Sequence, residues 1–331
     1  MRWLKRSAII LFVLLVLYSV GPNPATPIYS TELPSVPSID LLENYISSIE
    51  SAHHLRPNNE ARVVWANDSV KQKTDYAIVY LHGFSASQEE GNPVHRNIAK
   101  QFGCNLYLAR LAEHGMDTTE QLVNLTPENY WKSAQQALAI GKQLGNKVIL
   151  MGTSTGGTQA LQLAATYPNE VAALVLYSPN IAINDPKAWL LNNPWGLQIA
   201  RLVKGSSYLV ADDTRPIYRQ YWDRPYRMEA TIALEEMLET TMNKETFSKV
   251  KQPTLLLYYY KDEQHQDRIV KVSAMKEMFD QLATKDSDKR AIALPLTENH
   301  VIASPIKSKD VVGVERETKS FLEQVIHLQS K

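Results

Sequence analysis

The chain has 331 residues, 44% of them hydrophobic and 21% charged, which is ample for a large core and unlike a disordered chain. Its 35 Lys and Arg balance its 35 Asp and Glu, so the formal net charge is zero. Without a basic run beyond the extreme N-terminus there is no long-range field to gather phosphate backbones, which excludes a nucleic-acid binder of the usual kind.

Arg2, Lys5 and Arg6 precede an uncharged stretch from Ser7 to Val20 that ends at Gly21-Pro22. A positive flank followed by an apolar run is the pattern of a secretory signal. The run is short for a spanning helix, which needs about 20 residues, although Trp3 and Leu4 extend it. Left uncut, with its positive end leading, it would anchor the chain with everything after it outside the cytoplasm. Residues 1–21 are therefore expected to be a signal peptide or N-terminal membrane anchor, and the protein exported to the periplasmic or extracellular face. Residues 22–60 follow as a tether rich in proline (Pro22, Pro24, Pro27, Pro34, Pro37) and a leading helix over Ile39 to Ser51.

From residue 61 to 331 the pattern alternates. Arg62 to Trp65, Tyr76 to Leu81, Cys104 to Ala109, Lys147 to Met151, Ala172 to Tyr177, Thr254 to Tyr260 and Arg290 to Leu294 read as strands. Helical spacing falls over Pro93 to Phe102, Pro127 to Leu144, Gly156 to Tyr167, Ile269 to Leu282 and Val311 to His327. Runs such as Val148-Ile149-Leu150-Met151 have no polar alternation, as suits strands covered on both faces. The expected fold class is α/β, a doubly wound and mostly parallel sheet with ligands at the carboxyl ends of its strands. The single cysteine, Cys104, lies in one of these strands and reads as a small core residue. The stretch of about 180–250 breaks the rhythm. It is rich in Trp and Tyr, holds one clear helix over Met228 to Leu238, and reads as a cap inserted over the sheet.

The chemistry centres on Gly152-Thr153-Ser154-Thr155-Gly156, a G-x-S-x-G directly between a strand and a helix. A turn this tight strains the serine backbone and needs near-absent side chains two residues to either side, which Gly152 and Gly156 supply. The serine then stands above the sheet at a helix N-terminus, whose dipole favours developing negative charge.

Together with Leu81-His82-Gly83-Phe84, Arg110-Leu111-Ala112-Glu113-His114-Gly115, Lys261-Asp262 and Asn299-His300-Val301-Ile302, in that chain order, this elbow resembles the α/β-hydrolase superfamily. Within it the chain resembles the carboxylesterase and monoacylglycerol-lipase-like serine hydrolases, from about Arg62 to the C-terminus. Glu113 departs from the resemblance, standing where small residues are common. The resemblance implies Ser154 as nucleophile and the backbone amides of Phe84 and Thr155 as oxyanion hole. It also implies a base and an acid after the serine. Of the eight histidines, His300 follows the last strand and precedes the last helix, and is the expected base, with His265 its rival. Asp262, just after the strand ending at Tyr260, is the expected acid; Asp267 and Glu263 share its loop and stand as alternatives. His82, well before the nucleophile, reads as structural.

No metal is expected, since there is no H-E-x-x-H and His265-Gln266-Asp267 is too sparse a set. No cofactor is expected either, for want of G-x-G-x-x-G or a phosphate loop. The function this implies is cleavage of carboxylic esters through an acyl-enzyme, with a small-molecule or lipid ester, even a lysophospholipid, as substrate. Thioesterase, peptidase or acyltransferase activity on the same fold is the alternative within enzymes. A non-catalytic, membrane-tethered binding protein is the alternative outside them.

Overall fold

The computed structural model describes residues 2–331. Seven strands form the main sheet: β1 (Arg62–Val64), β2 (Thr74–Leu81), β3 (Asn105–Leu108), β4 (Gly145–Thr153) and β5 (Ala173–Tyr177), then β8 (Thr254–Tyr258) and β9 (Lys289–Ala293). Between the last two groups β6 (Tyr208–Leu209) and β7 (Tyr226–Arg227) pair as a separate antiparallel ribbon. The main sheet has the order β1-β3-β2-β4-β5-β8-β9, parallel throughout except where β1 runs against β3. Strands β3, β5 and β8 are wholly buried and β2 and β4 are buried toward their carboxyl ends, as their uninterrupted apolar runs require of strands covered on both faces.

Eleven helices are described. Ahead of the sheet lie α1 (Arg2–Ser19) and α2 (Ile39–Glu50). The crossovers are α3 (Val94–Phe102), α4 (Pro127–Leu144) and α5 (Thr155–Thr166). Between β5 and β8 come α6 (Gly196–Lys204), α7 (Pro216–Tyr221), α8 (Glu229–Thr241) and α9 (Lys244–Phe247). The remaining two, α10 (Val272–Gln281) and α11 (Val311–Gln324), follow β8 and β9. Two apolar clusters flank the sheet. One gathers α4, α5, α8 and α10 around Val79, Leu150 and Leu256; the other gathers α3 and α11 around Ile78, Met151 and Leu257. That is the doubly wound arrangement expected from the alternating pattern, and it brings the carboxyl ends of β2, β4, β5 and β8 to one edge.

Between β5 and β8 no strand joins the main sheet, and the helices and ribbon there lie over that edge. Tyr218 and Trp222 stack at 4.9 Å and pack with Ala86 and Val301. The proline-rich segment is extended but not free. Its Ser30 carbonyl accepts from the Trp131 indole at 2.7 Å and from Gln135 at 2.8 Å on α4, and Tyr29 pairs with Thr240 of α8 at 2.8 Å. The apolar side chains of α1 are exposed, and Trp195 binds the end of this segment, donating to the carbonyls of Leu17 and Pro22. Among the described residues no helix is long and apolar enough to cross a membrane, so the spanning-anchor reading gains no support here.

Candidate active site

β4 ends at Thr153 and α5 begins at Thr155, leaving Ser154 alone in the turn with φ 52° and ψ −120°. A positive φ is costly for a side chain with a Cβ, and such strain collects where function demands it. The turn closes so tightly that a Cβ at Gly156 would sit 1.9 Å from the Leu81 carbonyl oxygen, and one at Gly152 would sit 2.5 Å from the Gly156 backbone. Ser154 is held by its own N–H on the Tyr177 carbonyl at 2.9 Å and by its carbonyl accepting from Asn180. Its side chain opens onto a cavity of about 930 Å³ whose lining also includes Phe84, Thr155, His300 and, from the capping segment, Ile199, Leu209 and Met228.

His300 lies in the loop between β9 and α11 and faces the same cavity. Its Nδ1 lies 2.6 Å from Asp267 Oδ2. A carboxylate can only accept, so Nδ1 carries the hydrogen and Nε2 is left free as a base. Asp267 is wholly buried, and its other oxygen accepts from the amides of Ile269 at 2.8 Å and Val270 at 3.1 Å. Burial works against charging His300, but the Asp267 carboxylate outweighs it and lifts the imidazole above its ordinary value, with a smaller contribution from Glu90.

The expected acid, Asp262, is elsewhere. It is half exposed and bonds His265 through Nδ1 at 2.8 Å while capping the amides of Gln264 and His265. The His265 hydrogen bond holds its carboxyl below the usual range. The loop after β8 folds into a small hairpin, with Tyr260 bridging Gln266, so the chain runs out through Asp262 and returns. Asp267 re-enters at the sheet edge, its N–H on the Tyr259 carbonyl at 3.2 Å. Helix α10 accordingly starts at Val272 rather than at the expected Ile269, because the amides of Ile269 and Val270 are turned onto Asp267.

The loop after β2 lies beside the serine. Among the hydrogen bonds of the described residues the Phe84 amide has no acceptor, and the Thr155 amide, first in α5, has none within its helix. His82 donates from Nδ1 to the Gly83 carbonyl at 2.9 Å and accepts from the Leu111 amide on Nε2 at 3.0 Å. His114 does the same one loop over, with Ala112 at 2.7 Å and Ser85 at 3.0 Å. Burial pushes His82 down to about 4 and His114 well below its ordinary value, so both are neutral ties between the two loops. His82 was expected to be structural; the matching role of His114 had no signal in the sequence beyond its motif.

Glu90 has no signal of a site role in the sequence. It is almost wholly buried, lines the cavity, and accepts from the Gly83 amide at 2.6 Å. Asp223, in the capping segment, is fully buried against Arg56 at 2.5 Å and close to the Gly115 amide, and its own N–H donates to the Ser85 carbonyl at 2.7 Å. The Arg56–Asp223 contact joins residues 167 apart in sequence. Among the described residues no group of three His, Cys, Asp or Glu could hold a metal ion.

Residues 72–297 match the family model Hydrolase_4, described as serine aminopeptidase, S33. No curated protein matches the chain. Among solved structures, one from the LipS and LipT pair of metagenome-derived lipolytic enzymes is similar at 15% identity and TM-score 0.65, covering 82% of this chain and 99% of its own. The monoacylglycerol lipase of Paleococcus ferrophilus is similar at 15% identity and TM-score 0.56, covering 79% and 97%. Est1E from Butyrivibrio proteoclasticus, with ferulic acid bound, is similar at 16% identity and TM-score 0.54, covering 81% and 95%. At these identities the likeness is one of fold.

Proposed function

The chain belongs to the serine aminopeptidase S33 family of α/β hydrolases, and from that premise we propose that it is a serine esterase with Ser154, His300 and Asp267 as its catalytic triad. The observation that carries the reading is the 2.6 Å His300–Asp267 pair facing the same cavity as a serine strained into a positive φ. His300 takes the Ser154 proton as Oγ attacks the acyl carbon, and Asp267 stabilises the imidazolium. The amides of Phe84 and Thr155 receive the oxyanion; losing one such donor typically costs about 3–4 kcal/mol. The alcohol leaves with the proton from His300, and water then cleaves the acyl-enzyme by the same route.

The substrate we propose is a carboxylic ester with an apolar acyl or alcohol part, a lipid or lysophospholipid among them. Ile199, Leu209 and Met228 give the cavity a largely apolar wall, and its volume of about 930 Å³ admits a chain of that kind. The family description names a peptidase, so amide and thioester substrates belong in the same comparison. We further propose export, for which the basic start and exposed apolar side chains of α1 speak; a full-length N-terminus on cytoplasmic protein would refute it.

A fluorophosphonate probe tests the mechanism. Wild type should be labelled, and Ser154→Ala should lose label and about a millionfold in kcat while staying folded. Labelling that survives in Ser154→Ala, or a folded wild type that takes no label, would overturn it. Matched ester, thioester and amide substrates of rising acyl length then set the bond and the chain preference.

A further inference from the structure

The triad leaves one buried acid at the site unused. Glu90 is 3% exposed and lines the cavity with Ser154 and His300. Its carboxyl accepts from the Gly83 amide at 2.6 Å. A Cβ placed on Gly83 would lie 2.8 Å and 3.1 Å from the two carboxyl oxygens and 3.0 Å from Ser154 Cβ. The carboxyl and the serine thus crowd the space beside the same glycine, one residue before the Phe84 amide. A short 3₁₀ turn, Gln88–Gly91, started by Ser87, fixes Glu90 there.

A purely structural role does not account for a carboxyl at this place. A neutral acceptor would satisfy the Gly83 amide equally well, and burying a charge without a counter-ion is costly. Among the described residues no Lys or Arg forms an ion pair with Glu90. The titratable groups that feel it are the Tyr80 and Tyr130 phenols, pushed up by their own burial and therefore neutral, and His300 from the loop before α11. His82, beside Gly83, is neutral as well. Asp267 bears on His300 from the loop after β8. Arg224, Arg268, Lys187, Lys204 and Lys307 also line the cavity, but among the described residues the positive charge that bears on Glu90 is the His300 imidazolium, which forms when the serine proton has moved. An interaction present only at that stage favours the transition state over the bound substrate.

We propose that Glu90 is a positioning residue of the catalytic centre: its carboxyl anchors the Gly83 amide so that the Phe84 amide stays aimed at the reacting carbonyl, and its charge joins that of Asp267 in favouring protonated His300. This rests on the serine-hydrolase reading above. Burial raises the carboxyl to about 7, and Glu90 and His300 each act on the other's charge, so the two are coupled.

The test uses the full chain with p-nitrophenyl butyrate, recording kcat and KM across about pH 5 to 9 for wild type, Glu90→Gln and Glu90→Ala. Gln keeps an acceptor for Gly83 but removes the charge. Glu90 raises the His300 pKa, so losing its charge lowers that pKa and moves the acid limb of kcat/KM to lower pH. A shift of at least about 0.5 unit is expected for Glu90→Gln. Glu90→Ala, which removes the anchor too, should lose about 100-fold in kcat with KM little changed, and more than Glu90→Gln loses. Should Glu90→Ala fail to fold, the Glu90→Gln profile decides alone. An acid limb of Glu90→Gln that superimposes on wild type would overturn the proposal, since loss of packing alone moves yield and melting temperature but not that limb. Fluorophosphonate labelling separates the two levels. An unlabelled wild type removes the hydrolase reading and this role with it, whereas a labelled wild type with an unmoved Glu90→Gln limb removes the Glu90 role alone.

Discussion

Asp262 and Asp267 lie five positions apart in one loop and have opposite environments, one half exposed beside His265 and one fully buried beneath His300. Asp267→Asn keeps the shape but presents an amide to Nδ1 and favours the wrong tautomer, so kcat should drop by about 10⁴. Asp262→Asn removes only a surface pair of the kind worth about 0–1 kcal/mol, and kcat should change little. Steady-state kinetics on the two variants, side by side, would assign the acid; a large loss in Asp262→Asn alone would reverse the assignment. With His300 as the proposed base, the pH dependence follows from its imidazole. The base must be neutral to act, and its pKa is raised above the ordinary value. Activity is therefore full at alkaline pH and falls as pH drops through that raised pKa, earlier on acidification than an unperturbed histidine would allow.

Strand β2, the elbow and helix α5 meet so closely that backbone lies against backbone. With the Leu81 carbonyl 1.9 Å from where a Cβ would stand, Gly156→Ala has no room to relax except by moving β2 or α5. Overpacking of this sort costs about 1–3 kcal/mol, to be read as a lower urea midpoint with an unchanged m-value. Activity should fall further than stability, since the displaced elements carry Ser154 on one side and the Gly83-Phe84 loop on the other. The motif was legible because its reason is local: two small residues flanking a serine between an apolar run and a helix. The ends of β8 and α10 were less so. Periodicity placed a strand and a helix there correctly, but Ile269 and Val270 look helical by spacing while their amides serve Asp267.

Across the molecule, a buried ion pair is among the contacts that tie the segment over the sheet to the domain beneath it. Asp223 meets Arg56 from the chain ahead of β1, while its backbone holds Ser85 beside the site. Asp223→Ala would leave Arg56 buried and unpaired, a loss of about 3–5 kcal/mol. Differential scanning calorimetry on that variant should show a markedly lower melting temperature, and an unchanged one would mean the pair is dispensable. The proline-rich segment is another tie, bonded to α4 through Ser30 and to α8 through Tyr29. Its contacts fasten the segment onto the domain, where composition alone suggested an extended tether.

What the residues determined by themselves is whatever depends on neighbours in the chain. The apolar runs of β4 and β5 require cover on both faces, the alternation of strand and helix sets the winding, and the glycines around Ser154 make the elbow. His300 was readable because it sits at a predictable step of that order. Tertiary structure alone decided which carboxylate reaches it, because the Tyr260–Gln266 hairpin loops Asp262 out and brings Asp267 back. It alone placed Asp223 against Arg56, 167 positions away. A buried charge takes its partner from whatever the fold packs against it, and sequence spacing carries no record of that distance.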